Sequence, residues 1–451
     1  MSLSSPAPAE SDLNVSPQRE QWSQSHQHET LRSLLHRDAQ AFLHQSASTP
    51  CLSAIRAASG IWLEDFQGRR FMDFHGNSAH NLGYGHPRLI AALQTQLQDL
   101  SFVPRRYTCE PAVELAETLT RLAPGNLSKV LFATGGSDAI EIALAYARAA
   151  TGRFKTLSFW DAYHGSGFAA RSIGGEAMFR SGPIGPLLPG AEHIPPFGDY
   201  RNAWGVTENS AELCLNQIRY VLAKEEDICA LIAEPMRATN PVTAPPGFWQ
   251  AVKAACHAHG ALLIFDEIPT GLGRTGTLFA CEQEGVVPDI LVLGKALGGG
   301  VLPIAATLCR PDLDVCGNYA YGHYTHEKNP VTTRSALTTL QILESEGLAD
   351  NARAIGELAL NRLRDMMTRY PLIGDVRGRG CLIGVELVSD RLRRSPADDV
   401  AEMIMYKALE RGLSFKVSMG NILILSPPLI TTVEEMTQAL DILETCIEEV
   451  A

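Results

Sequence analysis

The sequence predicts an α/β fold, a large domain built on a mostly parallel sheet with a smaller α+β domain beside it. Three observations carry that expectation. From about residue 128, short apolar runs recur at 130–133, 156–159, 230–233, 261–265 and 290–293. Each is long enough for one buried strand and too short for a core helix. Helical patterns stand between several of these runs, and such alternation implies a doubly wound parallel sheet. At 451 residues the chain also exceeds one ordinary core, so about two or three domains are expected.

Residues 1–28 are polar and rich in Ser, Pro and Gln, which suits a flexible N-terminal arm or one lying on a neighbouring subunit. Leu31, Leu34, Leu35 and Phe42 fall at helical spacing, so a short amphipathic helix is expected over 31–43. The segment GIWLEDFQGRRFMDF at 60–74 reads as a β-meander. Helices are expected at 87–100, at 110–123 and, after a Gly-rich turn, at about 138–150. A long helix begins at 335–346. The C-terminal part reads as α+β, with strands near 382–387 and 422–425. The chain divides into an arm at 1–28, a small domain from 29–80 and 336–451, and a large domain at 81–335.

An apolar content of 45% with 20% charged residues describes a soluble globular protein. The net charge of −12 argues against a nucleic-acid or membrane-surface partner. No apolar stretch approaches the ~20 residues of a membrane helix, and the N-terminal MSLSSPAPAESDLNVSPQ has no apolar signal core. Ten cysteines contain no CxxC pair, and some, such as Cys229 and Cys256, lie in apolar surroundings. Reduced thiols in the cytoplasm fit this better than disulfides or a metal site.

The 261–265 run ends in Asp266 and Glu267, and the 290–293 run ends in Gly294 and Lys295. Ligands of open α/β sheets bind at the carboxyl ends of strands, so this acid and this lysine can face one pocket. Pyridoxal phosphate chemistry uses such a pair. A lysine forms a Schiff base with the cofactor, and an aspartate pairs with its protonated pyridine nitrogen. The aspartate keeps the ring able to accept electrons, and the lysine later shuttles protons. Singly, the two also read as a surface lysine in a Gly-rich loop and a turn-capping acid. Together, 29 positions apart on consecutive strands, they favour the cofactor.

Other motifs fit the same pocket. Thr134-Gly135-Gly136-Ser137-Asp138 lies between a strand and a helix, where backbone N–H groups make an anion site suited to the cofactor phosphate. It equally suits a plain βα turn. Tyr163-His164-Gly165 follows a strand, and the aromatic could stack on a flat heterocycle or simply half-bury in a turn. Glu234-Pro235 follows the 230–233 strand; the carboxylate could contact cofactor or substrate, or cap a helix. Thr325, in THEKNP, could give a hydroxyl to a phosphate, or the segment could only lead into the helix after Pro330.

The order TGGSDAIEIAL, YHG, EP, LLIFDEIPTGLGRTG, LGKALGGG, a Thr four residues before NP, VRGRG and PPL resembles the class III aminotransferases. These are pyridoxal phosphate enzymes of fold type I, and the likeness runs from about Gly60 to the end. It implies Lys295 as the Schiff-base lysine, Asp266 as the pyridinium partner, Gly136 and Ser137 on the phosphate, and Tyr163 stacked on the ring. It also implies a homodimer with composite active sites, in which Thr325 reaches the other subunit's phosphate.

The departures from the family pattern bear on function. Where members read DEVQ, this chain has Asp266-Glu267-Ile268-Pro269, so the Gln that contacts the cofactor's phenolic oxygen becomes Pro269. EPxQG becomes Glu234-Pro235-Met236-Arg237-Ala238, and GGNP becomes Glu327-Lys328-Asn329-Pro330. The stretch before PPL, where members that grip an α-carboxylate carry an Arg, is Ile422-Leu423-Ile424-Leu425-Ser426. A transaminase wants a bidentate Arg for its acid substrate. The chain is most similar to the branch of lyases that releases ammonia from (R)-1-hydroxy-2-aminoethylphosphonate, giving phosphonoacetaldehyde. Arg105, Arg106, Arg237 and Lys328 are the candidates for holding a phosphonate. The alternatives are an aminotransferase on an ω-amine or amino acid with a 2-oxo acid, and a non-catalytic cofactor-binding regulator. Retention of Lys295 and Asp266, and the lack of a DNA-binding domain, argue against the last.

Overall fold

The computed structural model describes residues 15–45, 48–198 and 200–450. Its centre is a seven-stranded sheet in the order Lys129–Ala133, Ala305–Cys309, Ile290–Leu293, Leu262–Asp266, Ile228–Ala233, Lys155–Phe159, Ala191–Ile194. Ala305–Cys309 runs antiparallel to both neighbours, and the other pairings are parallel. The five strands expected from apolar runs are all present. Two were not anticipated, Ala191–Ile194 and the antiparallel Ala305–Cys309. The latter shows only as one more apolar run after Pro303, and a run's direction leaves no mark on periodicity.

Both faces of the sheet are covered, and the residues alternate accordingly. Leu263, Phe265, Leu291 and Leu293 pack with Ile218 and Leu222 of helix Ser210–Lys224 and with Trp249 and Val252 of helix Phe248–Ala258. Leu262, Ile264, Ile290 and Val292 pack with Ile140, Ala143 and Leu144 of helix Gly136–Thr151. Each fully buried Leu or Ile here contributes about 1.5–3 kcal/mol. The result is the fold-type I α/β architecture.

The strand ends are level where the chemistry was expected. Ala233 is registered with Phe265, and Asp266 with Val292. Asp266 is therefore the last residue of its strand, and Lys295 lies just beyond the same level of the next. Trp249 supports these ends. It is fully buried, meets Phe265 edge-on at 5.0 Å between ring centroids, and donates from Nε1 to Pro235 O at 3.2 Å.

Two smaller sheets complete the chain. In the first, Ile55–Ser59, Trp62–Asp65 and Arg70–Asp73 form an antiparallel meander, to which Leu413–Ser414 adds a parallel strand with Leu413 opposite Met72. In the second, Ile373–Arg379, Leu382–Asp390, Ile422–Leu425 and Lys416–Ser418 pair in that order. The expected long helix from 335–346 is two helices. Pro330–Ser345 starts one turn earlier, because the Asn329 side chain accepts from Val331 N and Thr332 N; Gly347, at φ 62°, separates it from Leu348–Arg369.

The expectation of a flexible arm over 1–28 is corrected for residues 15–28; residues 1–14 lie outside the described residues. Pro17–His26 is a helix whose N-cap Ser16 accepts from Arg19 N at 3.0 Å. Trp22 anchors it, 4% exposed, with its ring 6.1 Å from that of Tyr406. One cap and one aromatic outweigh a polar composition. Among the described residues no helix is long and apolar enough to cross a membrane, and no group of His, Cys, Asp and Glu could hold a metal ion.

Candidate active site

A cavity of about 480 Å³ opens at the carboxyl ends of the central strands. Gly136, Ser137, Tyr163, Glu234, Asp266 and Lys295 all line it. Six of the seven residues assigned to the cofactor are thus brought together from the ends of five strands. The seventh, Thr325, lies in an exposed turn and does not line the cavity in the single chain.

Asp266 is 1% exposed, and its Oδ2 lies 2.8 Å from His164 Nδ1. The Ile268 N–H donates to its Oδ1 at 3.1 Å. The carboxylate is clamped from two sides at the cavity wall. Its neighbour Glu267 points the other way, as strand alternation requires. It accepts from Ala280 N and Cys281 N at 2.7 Å each, and burial pushes its pKa up to about 7. Of the two adjacent acids, only Asp266 faces the cavity.

Lys295 is exposed and lines the cavity. Desolvation lowers its ammonium pKa; Glu234 and Asp266 oppose the shift, and Lys416 and Arg274 add to it. Among the described residues nothing hydrogen-bonds or ion-pairs with its Nζ. Its backbone sits at φ 45°, left-handed for a residue with a Cβ. Such a conformation costs on the order of 1–3 kcal/mol and persists only where the surroundings impose it.

Ser137 Oγ accepts from Ser166 N at 2.9 Å, which leaves its own O–H free to donate into the cavity. Gly135 caps the helix with no side chain, so the first-turn N–H groups remain available to an anion. Thr134 Oγ1 donates to Asp138 Oδ2 at 2.6 Å and fixes the turn. Tyr163 packs against Phe179 at 4.4 Å between centroids, and its hydroxyl pairs with Ser166 Oγ at 3.0 Å. Glu234 Oε2 accepts from Ala238 N at 2.9 Å; burial, then the charge of Asp266, raises its pKa.

These residues fit pyridoxal phosphate. A free amine faces a cavity opposite a clamped carboxylate, and uncapped N–H groups beside a hydroxyl await an anion. His164 Nε2 is buried without a partner. A Cβ on Gly165 would lie 2.5 Å from Ser137 Oγ, so the loop is cut close against Ser137.

The four candidate cations do not join this cavity. Arg105 and Arg106 stand in an exposed turn and line a separate shallow pocket with Pro104 and Tyr107. Lys328 is exposed near Thr108 and Glu327. Arg237 lines an adjoining pocket, 3.7 Å from Asp161 Oδ2, and burial lowers its pKa. The motif reading overlooked His75, Lys416 and Glu176, which do line the cavity. Lys416 and His75 come from a strand and a turn of the two small sheets, remote in sequence, and no motif spacing marks them.

The His75–Ser78 turn is itself unusual. Gly76, Asn77 and Ser78 have φ of 44°, 51° and 57° in succession. Asp73 imposes this: its Oδ1 accepts from His75 N and Gly76 N at 3.0 and 3.1 Å, and its Oδ2 accepts from the Tyr84 hydroxyl at 2.6 Å. Arg274, from the GLGRTG segment, cross-braces the site from behind. Fully buried, it donates to Cys381 O at 3.0 Å and also to Pro427 O and Asn81 Oδ1.

A family model for class-III aminotransferases matches residues 43–447. The chain is 42% identical to the (R)-1-hydroxy-2-aminoethylphosphonate ammonia-lyase of Vibrio splendidus (strain 12B01), over 98% of this chain and 95% of that one. It is 34% identical to the isoleucine 2-epimerase of Lentilactobacillus buchneri, over 86% and 88%. Among solved structures, an amine transaminase from an uncultivated Pseudomonas species in its PLP-bound form superposes with a TM-score of 0.85 at 32% identity. That match covers 91% of this chain and 99% of that one.

Proposed function

The chain belongs to the class III aminotransferases and uses pyridoxal 5'-phosphate, and from that premise we propose that it is an ammonia-lyase of a small β-hydroxy amino-phosphonate. The favoured substrate is (R)-1-hydroxy-2-aminoethylphosphonate, giving phosphonoacetaldehyde and ammonia. The observation that carries this reading is the similarity to the Vibrio splendidus ammonia-lyase along nearly the whole chain. The absence of any cation from the Ile422–Leu425 strand supports it, since a transaminase's acid substrate wants a bidentate Arg.

In this reading Lys295 would hold the cofactor's carbonyl carbon, Asp266 its ring nitrogen, Tyr163 its ring face, and Gly136 and Ser137 its phosphate, with Glu234 alongside. When bound, pyridoxal phosphate supplies an electron sink for charge developing at the amine-bearing carbon. Lys295, whose pKa burial lowers, is suited to take the proton from that carbon. Hydroxide then leaves the neighbouring carbon, and hydrolysis of the resulting enamine releases ammonia and the aldehyde. Asp266, clamped by His164, would keep a fixed carboxylate for the ring nitrogen.

We also read the protein as a cytoplasmic homodimer with composite sites. All ten cysteines are free, and all but Cys51 are buried, as suits a reducing compartment. Thr325, exposed in the single chain, is then the hydroxyl a second copy contributes. Mixing Thr325→Ala with Lys295→Ala subunits should restore activity in heterodimers, each with one intact site; no recovery despite proven exchange refutes it.

The decisive comparison sets (R)-1-hydroxy-2-aminoethylphosphonate alone against a panel of amines with pyruvate or 2-oxoglutarate. Ammonia and aldehyde from the first support the lyase. Alanine or glutamate from the second, with no ammonia from the first, makes the enzyme an aminotransferase, the reading its structural relatives favour.

A further inference from the structure

We propose that Lys416 is the cation that holds the acidic end of the substrate, and that it selects a tetrahedral phosphonate over a planar carboxylate. The proposal rests on the lyase reading for the identity of the substrate, but its geometry is independent of it.

Among the described residues, Lys295 and Lys416 are the two Lys or Arg residues that line the cavity. Lys295 is committed to the cofactor, which leaves Lys416. Among the described residues the Lys416 ammonium has no ion pair and no hydrogen bond, whereas Arg237 in the adjoining pocket is engaged by Asp161, by Trp160 O at 3.5 Å and by Met419 Sδ at 3.1 Å. His75, also on the wall, is held neutral at pH 7 because burial lowers its pKa to about 4. It brings no competing charge.

The position of Lys416 explains how the cavity manages without an arginine on the strand before Pro427. Lys416 is registered directly opposite Ile424 of that strand, and both residues line the cavity. Directly opposed residues project to the same face of a sheet. The cation has therefore moved one strand over, from Ile422–Leu425 to Lys416–Ser418, and has become an ammonium. A guanidinium fork fits carboxylate and phosphonate alike through two parallel bonds; an ammonium is a point charge, whose attraction grows with the charge of the anion and so favours a phosphonate dianion over a carboxylate monoanion. The Lys416 charge also reaches the reacting end, since it lowers the pKa of both Lys295 and His75. Both lysines line the one cavity of about 480 Å³, so an anion seated on Lys416 shares it with the amine chemistry at Lys295.

The test uses holoenzyme and two unreactive probes, ethylphosphonate and propionate, titrated by calorimetry. Wild type is expected to bind ethylphosphonate more tightly than propionate. Lys416→Met should weaken ethylphosphonate about 10- to 100-fold, the range for losing a bond to a charged group, with the cofactor's absorbance and the melting temperature retained. Lys416→Arg should keep ethylphosphonate binding and gain propionate. Undiminished ethylphosphonate binding by Lys416→Met overturns the proposal, as does its loss in Arg237→Met instead. Loss of cofactor from Lys416→Met on dialysis assigns Lys416 to the cofactor and overturns it too. Turnover separates the two readings. Ammonia release with an unchanged KM in Lys416→Met leaves the lyase standing and removes this inference. Tight ethylphosphonate binding without ammonia release does the reverse.

Discussion

His164 Nδ1 lies 2.8 Å from Asp266 Oδ2, and the two residues are 2% and 1% exposed. The imidazole and the Ile268 N–H together fix this carboxylate at the wall of the Lys295 cavity. Asp266→Asn is expected to keep the fold and lower kcat by at least about a hundredfold, since a fixed charge beside the reacting group is among the larger catalytic terms. His164→Gln should cost about tenfold, the scale of one hydrogen bond to a charged group. Steady-state kinetics beside thermal melts check both; near-normal turnover of Asp266→Asn refutes its assignment to the ring nitrogen.

Lys295 carries the cofactor in this reading. Borohydride treatment of the wild type should add the cofactor irreversibly to one peptide, the one containing Lys295, as read by mass spectrometry. Lys295→Ala should show no such adduct and almost no turnover. A reducible adduct in the variant would falsify the assignment.

His75 makes the chain sensitive to mild acid. Its pKa falls to about 4 in the folded protein, chiefly through burial, against about 6.5 in an unfolded chain. As pH drops below about 6.5 the unfolded chain takes up the proton first, so stability falls with pH and levels off below about 4. The full difference is up to about 3 kcal/mol. His75→Gln should lack this component. Urea midpoints at pH 7, 5.5 and 4 should therefore drop less in the variant than in the wild type; parallel losses refute the prediction.

Two glycines beside Ser137 should respond differently to alanine. At Gly165, φ is 126°, and a Cβ would meet Ser137 Cα at 2.9 Å and Oγ at 2.5 Å. Gly165→Ala must move backbone and is expected to cost on the order of 1–3 kcal/mol of stability, with cofactor affinity reduced at least about tenfold. At Gly136 a Cβ would meet only Ile268 Cδ1 closely, at 2.8 Å. That side chain can turn aside, so Gly136→Ala should cost less stability than Gly165→Ala. Cofactor titrations and melts of both variants decide the order.

The sheet and its site were legible because their signals are local. A buried parallel strand is a short apolar run, and a chemical group at its carboxyl end is the next residue or two. Asp266, Lys295 and Glu234 follow that grammar, Ser137 comes at the start of the next helix, and the structure brings all four to one cavity. The cations were not legible. Arg105, Arg106 and Lys328 are charged residues in turns, where solvent exposure is the ordinary fate. Lys416 reaches the cavity only through pairing with a strand whose register local sequence does not reveal. His164 was in view as part of a motif, but its bond to Asp266 spans 102 positions. The helix at Pro17–His26 was masked by polar composition, since its burial rests on Trp22.

The parallel pairing of Leu413–Ser414 with Arg70–Asp73 places the strained His75–Ser78 turn immediately beyond a strand whose partner lies in the last tenth of the chain. Met72 N also donates to Gly412 O, and Phe74 N to Ser414 O. During synthesis these bonds must wait until residues near 414 have left the ribosome, long after the central sheet has all its strands. The nascent protein therefore passes through a stage with a finished sheet and an unwalled pocket. Pulse proteolysis of ribosome-stalled chains ending near residue 405 should cut within 70–78, whereas released chains resist; equal resistance in both would show that the wall forms without its late partner. Cofactor capture then belongs to the released protein, and its timing is set by the tail of the message rather than by the segment that carries Lys295.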